Sequence, residues 1–186
     1  MHMRPNPQEN VTLSLLLSCE AIAARVKELA ALISRDFAGK DLLLVGVLKG
    51  AFVFLADLVR ALEIPGQVEF VRLASYGKGA TSAGHVQVIL DLEVSIVGRH
   101  VLIVEDVLDT GLTLGFLLER LRARQPASLK LCVLLNKRVR RACDIIPDYT
   151  GFDVPDRFVV GYGIDYAEHY RHLPAIYTLS FVKSDA

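Results

Sequence analysis

The chain has 186 residues, 52% of them hydrophobic, and its 21 Lys+Arg balance 21 Asp+Glu. That length can bury a full core as one domain without metal or disulfide staples, and the neutral balance excludes both a disordered tail and a basic module that binds nucleic acid nonspecifically. Cys19, Cys132 and Cys143 form no C-x-x-C pair, so they read as free thiols of a reducing cytosol, with no zinc site.

In chain order, the first apolar run is 13–19 (LSLLLSC). It is too short for the core of a secretory signal, only Arg4 supplies positive charge ahead of it, and Pro5, Pro7 and Glu9 interrupt the approach. No segment nears the roughly 18 apolar residues that span a bilayer, so a cytoplasmic protein with no membrane partner is expected. Ile22, Val26, Leu29 and Ile33 then recur at helical spacing, with Ser18 as N-cap, Glu20 in the first turn and Gly39 ending the run. Residues 42–48 (LLLVGVL) are continuously apolar, as in a strand buried on both faces of a parallel sheet. Phe54, Leu55, Leu58, Val59 and Leu62 return to helical period until Pro65-Gly66 breaks it.

Further strands are predicted over 68–74 (VEFVRLA), 86–90 (VQVIL) and 101–104 (VLIV), then a helix through Leu114, Leu117, Leu118 and Leu121, and a buried strand over 129–135 (LKLCVLL). This alternation of strand and helix predicts an α/β fold with a mainly parallel sheet. Two stretches break the pattern. Residues 75–85 (SYGKGATSAGH) have no apolar period and suit a mobile lid; 147–174 are rich in aromatic and turn residues, with only 157–162 strand-like, and suit a small cap beside the sheet.

In an open parallel sheet, ligands bind beyond the carboxyl ends of the strands. Lys49-Gly50, Ser75-Tyr76, Glu105-Asp106 and Lys137 each follow a predicted strand, so that edge is the predicted site. The most informative segment is 101–113 (VLIVEDVLDTGLT). Its turn before a helix presents backbone N–H groups and the Thr110 and Thr113 hydroxyls, with Gly111 allowing close approach, which suits a phosphate monoester. Glu105 and Asp106 can hold ribose hydroxyls and the water shell of Mg²⁺. A bland reading makes Glu105, Asp106 and Asp109 helix-terminal acids and Thr110 a cap; three carboxylates in five positions after so apolar a strand exceed what capping needs.

Residues 101–113 resemble the phosphoribosyl pyrophosphate motif of the type I phosphoribosyltransferases: four apolar residues, two acids, two apolar residues, then D-[ST]-G-x-T. Residues 47–50 (VLKG) resemble the pyrophosphate loop of the hypoxanthine-guanine branch, where the Leu-Lys peptide is often cis. Ser75-Tyr76 resemble the start of its closing loop, 134–138 (LLNKR) its base-reading lysine segment, and 158–166 (FVVGYGIDY) its base-binding strand and Mg²⁺ loop. The resemblance runs from about the first helix to Tyr177, and its departures, Leu112 and Ala51, touch only peripheral contacts.

What the resemblance implies is the type I phosphoribosyltransferase fold: a single domain over 1–186 with a core at about 37–146, a small hood from about 9–36 and 147–186, and a lid at 75–85. It implies Mg²⁺-dependent transfer of the phosphoribosyl group to hypoxanthine or guanine, giving IMP or GMP and pyrophosphate. By the same resemblance, Asp109 is the general base or acceptor at purine N7. Lys49, Gly50, Ser75, Tyr76, Glu105, Asp106, Asp109, Thr110, Gly111, Leu112, Thr113 and Arg171 bind phosphoribosyl pyrophosphate. Lys137 donates to the 6-oxo group, Phe158 stacks on the base, and main-chain groups near Val159 and Asp165 read its far edge. Glu105, Asp106 and Asp165 serve the metal, and the assembly is a homodimer or homotetramer. Two other classes stay open: a regulatory protein of this fold that binds nucleic acid through Lys137, Arg138, Arg140 and Arg141, and an enzyme of the fold that prefers xanthine.

Overall fold

The computed structural model describes residues 11–76 and 85–181. Its elements are β1 (Val11–Leu17), α1 (Cys19–Asp36), β2 (Leu42–Leu48), α2 (Phe52–Ala61), β3 (Gln67–Tyr76), β4 (His85–Leu90), β5 (His100–Leu108), α3 (Leu112–Arg122), β6 (Ser128–Asn136), β7 (Tyr149–Asp153), β8 (Phe158–Val160) and β9 (Ile176–Phe181). Six strands form the main sheet in the order β4-β3-β2-β5-β6-β7. All of its pairings are parallel except β3 with β4.

The alternation of side chains along the central strands explains why both faces are covered. Leu42, Leu44, Leu102, Val104, Cys132 and Leu134 face one way and pack with Ile22, Val26, Leu29 and Ile33 of α1 and Phe54, Leu55 and Leu58 of α2. Leu43, Val45, Val101, Ile103, Leu131 and Val133 face the other way, against Leu114, Leu117, Leu118 and Leu121 of α3. The helix after β2 therefore lies on one face and the helix after β5 on the other. The sheet reverses its winding direction between β2 and β5, where a crevice opens for a ligand.

Pair register makes that crevice concrete. The β2–β5 ladder ends at Gly46↔Val104, whereas β5 continues beside β6 as far as Leu108↔Asn136. β5 is thus longer than the strand expected at 101–104. Glu105 and Asp106 lie within it, beyond the reach of β2 on one side and still paired toward β6 on the other.

The second sheet, β1-β9-β8, is antiparallel and forms the hood. β1 was not expected as a strand, nor was β9. Two expected boundaries also move. β7 pairs with β6 in the main sheet, so 149–153 belong to the core rather than to the cap expected from 147 onward. α1 packs on α2 and on the main sheet, so of the segment 9–36 it is β1 that builds the hood. The tips of β3 and β4 are paired through Ser75↔Val86 and Tyr76↔His85; the rest of the expected lid, 77–84, lies outside the described residues. Among the described residues no helix is long and apolar enough to cross a membrane.

β7 is an edge strand, and its outward carbonyls are taken by α1. Arg25 donates from Nε to Gly151 O at 2.9 Å and from Nη2 to Thr150 O at 2.7 Å, so a charged donor covers an edge that would otherwise offer itself to another strand. Arg25→Met keeps the aliphatic stem and removes both donors. It should lower unfolding stability by about 1–3 kcal/mol, read as a lower midpoint in urea denaturation with an unchanged slope.

Candidate active site

Three segments meet at Gly50. A Cβ there would overlap the Asp106 carboxylate, and a Cβ on Gly163 would come within 2.5 Å of Gly50 O. The loop after β2, the end of β5 and the hood loop are therefore in contact through positions that tolerate no side chain. The Leu48–Lys49 peptide is cis, and Ala51 beyond it is fully buried.

At the end of β5, the Asp106 N–H donates to Glu105 Oε1 at 3.1 Å. Burial, with the neighbouring Asp106 carboxylate, pushes the Glu105 pKa well above its ordinary value. Next along the chain is Gly111 in the left-handed region at φ +82°, the N-cap position of α3, with no side-chain cap. Thr110 Oγ1 lies 3.5 Å from Leu112 N, too far to act as a strong cap. The bland capping reading of this turn thus has little support, and the helix N-terminus is left to a ligand. Leu112 is exposed, and Thr113 follows it in the first turn.

Lys137 follows β6 and is only 6% exposed, so it is not a solvated surface lysine. Its backbone N–H donates to Leu108 O at 2.9 Å, and its Nζ lies 3.9 Å from Asp109 Oδ2. The other carboxylate oxygen, Asp109 Oδ1, is buried with no hydrogen-bond partner among the described residues. An unsatisfied buried acceptor costs about 1–3 kcal/mol, which a ligand donor would recover.

The hood supplies the remaining groups. Phe158 is 56% exposed and touches Tyr166 and Phe181 edge-on, with ring centroids 6.4 and 6.3 Å away, while Val159 beside it is buried. Arg171 donates to Gly163 O at 2.8 Å, pairs with Asp165 Oδ1 at 2.7 Å and reaches Glu168 Oε2 at 3.3 Å. Lys49 Nζ meets that same Glu168 oxygen at 2.8 Å, and the bonds from Lys49 and Arg171 hold the Glu168 carboxyl below its ordinary pKa.

The structure therefore gathers Lys49, Gly50, Asp106 and Arg171 around the hood loop, and Asp109 with Lys137 beside the 109–113 turn. Among the described residues no group of three or more His, Cys, Asp or Glu side chains is placed to hold one metal ion between them. Asp165 instead pairs with Arg171 and accepts from Glu168 N at 2.8 Å. The cluster that a nucleic-acid-binding reading would use is internally paired. Lys137 is buried, Arg138 pairs with Asp153, Arg140 pairs with Asp156, and Arg141 turns inward to bond backbone carbonyls. Arg141 is the residue of this site that sequence reasoning missed. It stood among other cations, and only the loop's fold shows where its guanidinium points.

Comparison with known proteins agrees with this geometry. Residues 13–167 match the model of the phosphoribosyl transferase domain. A hypoxanthine-guanine phosphoribosyltransferase of Aquifex aeolicus is 48% identical over 89% of this chain and 93% of its own length. A hypoxanthine phosphoribosyltransferase of Escherichia coli is 44% identical over 89% and 94%. The crystal structure of a hypoxanthine phosphoribosyltransferase from Staphylococcus aureus superposes with a TM-score of 0.88 at 42% identity, covering 96% of this chain and 97% of that one.

The raised Glu105 pKa has a definite sign. A carboxyl easier to protonate in the folded than in the unfolded state favours folding at low pH and loses that contribution as pH rises through its folded pKa. Glu105→Gln removes the charging penalty. In metal-free buffer it should raise the thermal midpoint at neutral pH, and the gain should vanish below about pH 4, near the ordinary carboxyl pKa.

Proposed function

This chain belongs to the phosphoribosyl transferase family, and from that premise we propose that it transfers the 5-phosphoribosyl group of phosphoribosyl pyrophosphate to hypoxanthine or guanine, giving IMP or GMP and pyrophosphate in purine salvage. The observation that carries the choice of base is the buried Lys137 beside Asp109. A 6-oxopurine presents O6, an acceptor, next to N7 on one edge. A lysine donor and a carboxylate side by side match that edge, whereas the 6-amino group of adenine would meet a donor with a donor.

The phosphate turn, 109–113, takes the 5-phosphate through its backbone N–H groups and the Thr110 and Thr113 hydroxyls. Lys49, the Gly50 backbone and Arg171 take the diphosphate, with Ser75 and Tyr76 at the end of β3 as further contacts to phosphoribosyl pyrophosphate. Glu105 and Asp106 hold the ribose hydroxyls. Phe158 offers an exposed ring face for stacking on the base, and main-chain groups near Val159 and Asp165 read its opposite edge. Asp109 accepts the proton at N7, and positioning with charge stabilisation supplies most of the rate.

Two adjacent carboxylates, one of them reluctant to ionise, form a donor set suited to a hydrated dication. Mg²⁺ is commonly held by one or two carboxylates together with substrate oxygens, so no third protein ligand is needed. Bound there, Mg²⁺ would neutralise charge on the leaving diphosphate. Asp165, which pairs with Arg171 and accepts from Glu168 N in the hood loop, would be a further carboxylate serving the metal.

The regulatory reading loses its main support, since the cations it needs are paired or buried. The free thiols of Cys19, Cys132 and Cys143 suit a cytoplasmic enzyme, and a homodimer or homotetramer is the assembly expected on sedimentation.

A spectrophotometric assay of hypoxanthine, guanine, xanthine and adenine with phosphoribosyl pyrophosphate and Mg²⁺ tests the reading. Hypoxanthine and guanine should turn over and adenine should not; a preference for xanthine would move the chain to the other enzyme class. Lys137→Met should cost about 1.5–3 kcal/mol in discrimination against adenine, and an unchanged ratio of rates would remove Lys137 from the base site. Asp109→Asn should leave phosphoribosyl pyrophosphate binding intact and lower turnover by about 10²–10⁴-fold. Turnover within a factor of about two of the parent would leave Asp109 as a turn-former only.

A further inference from the structure

We propose that Arg141 is a positioning residue that holds the phosphate turn and the base-reading lysine in one register. Its guanidinium reaches four acceptors on three segments. Nε donates to Asp109 O at 3.1 Å, Nη1 to Ile145 O, and Nη2 to Asn136 Oδ1 at 2.5 Å and Lys137 O at 3.2 Å. Two of these acceptors are the carbonyls of Asp109 and Lys137, whose side chains form the base-facing pair.

The surroundings fix the guanidinium in turn. Asn136 is buried and donates from Nδ2 to Asp153 Oδ1 at 2.7 Å, which sets its amide so that Oδ1 faces Arg141. Ala142 N donates to Thr110 O at 2.9 Å, tying the segment after β6 to the phosphate turn a second time. Gly111 packs against the arginine stem: a Cβ built there would stand 3.4 Å from Arg141 Cδ.

Backbone carbonyls need no cation to satisfy them, so a planar fork spent mainly on carbonyls is a geometric device. Lysine at this position would keep the charge and lose the simultaneous reach. Asp109 Oδ2 and Lys137 Nζ stand 3.9 Å apart on two separate loops, and Arg141 ties the backbones of both. Through it, a shift in the phosphate turn is felt at the lysine, which couples occupancy of the sugar-phosphate half to orientation of the base half.

This inference rests on the base-site assignment of Asp109 and Lys137, and the test separates the two. Steady-state kinetics with hypoxanthine are measured for the parent, Arg141→Ala, Arg141→Lys, Lys137→Met and the double variant Arg141→Ala/Lys137→Met, with thermal midpoints for each. Arg141→Ala should lower kcat at least about tenfold with a smaller change in KM for phosphoribosyl pyrophosphate. Guanidinium ion at about 20 mM, far below denaturing concentrations, should restore part of that loss. In the Lys137→Met background, Arg141→Ala should cost at least about threefold less than it costs alone, because part of its action passes through Lys137. Full multiplication of the two losses, or no response to guanidinium, would overturn the proposal. Should Arg141→Ala fail to fold, Arg141→Lys decides: a folded protein with turnover within about twofold of the parent sinks the positioning role. A parent that forms no IMP overturns the functional reading itself, and this inference with it.

Discussion

β5 keeps its partner on one side for four residues after losing it on the other. β2 stops pairing at Gly46, while β6 carries β5 on to Leu108. Because of that unequal ladder, Glu105 and Asp106 are held in regular strand geometry yet open onto a gap. The gap gives room for the loop after β2, and the loop fits only because residue 50 has no side chain. The 109–113 turn, the hood loop and the lysine after β6 are then arranged around an edge fixed by backbone hydrogen bonds.

Charge in the site falls into two groups. Lys49 and Glu168 pair at the surface, where such a pair contributes little to stability, while the largely buried Arg171 joins Asp165 and Glu168, so that two cations and two carboxylates neutralise one another. In the second group Glu105 lies beside Asp106, and the buried Lys137 stands near the part-exposed Asp109. There each group is sensitive to the neighbour a ligand would provide. On the proposed reading, the group around Lys49 and Arg171 would meet the diphosphate and the Lys137–Asp109 pair the base.

The central strands and the helices were legible in the sequence because each carries a strong period. Residues 42–48 are bounded as expected, and α1 starts directly after Ser18, whose hydroxyl accepts from Ala21 N. Legibility failed where structure depends on a distant partner. β1 is a half-buried strand whose apolar run resembles a helix or signal core until β9 pairs with it. β7 is five residues long, and its place follows from β6 beside it and Arg25 across its edge. The end of β5 was obscured because two adjacent acids read as a strand terminus when the ladder that carries them is unseen. Glu105, Asp106 and Asp165 could be named from motifs, but no spacing along the chain tells that Asp165 pairs with Arg171. Arg141 differs again: its acceptors are mostly backbone carbonyls, which leave no trace in residue identity.

Glu168 offers one carboxylate oxygen to two cations from different parts of the fold, Lys49 at the crevice and Arg171 in the hood. It acts as a tethered counter-ion, keeping two like charges from repelling each other while the crevice is open. On the proposed reading, a multivalent anion arriving at Lys49 and Arg171 would displace a resident carboxylate instead of filling bare charge. Such a site would work as an ion exchanger, in which part of the incoming attraction is offset by release of the internal anion. It would favour a diphosphate over a simple monovalent ion, since the higher charge gains more in displacing a partner already held in place.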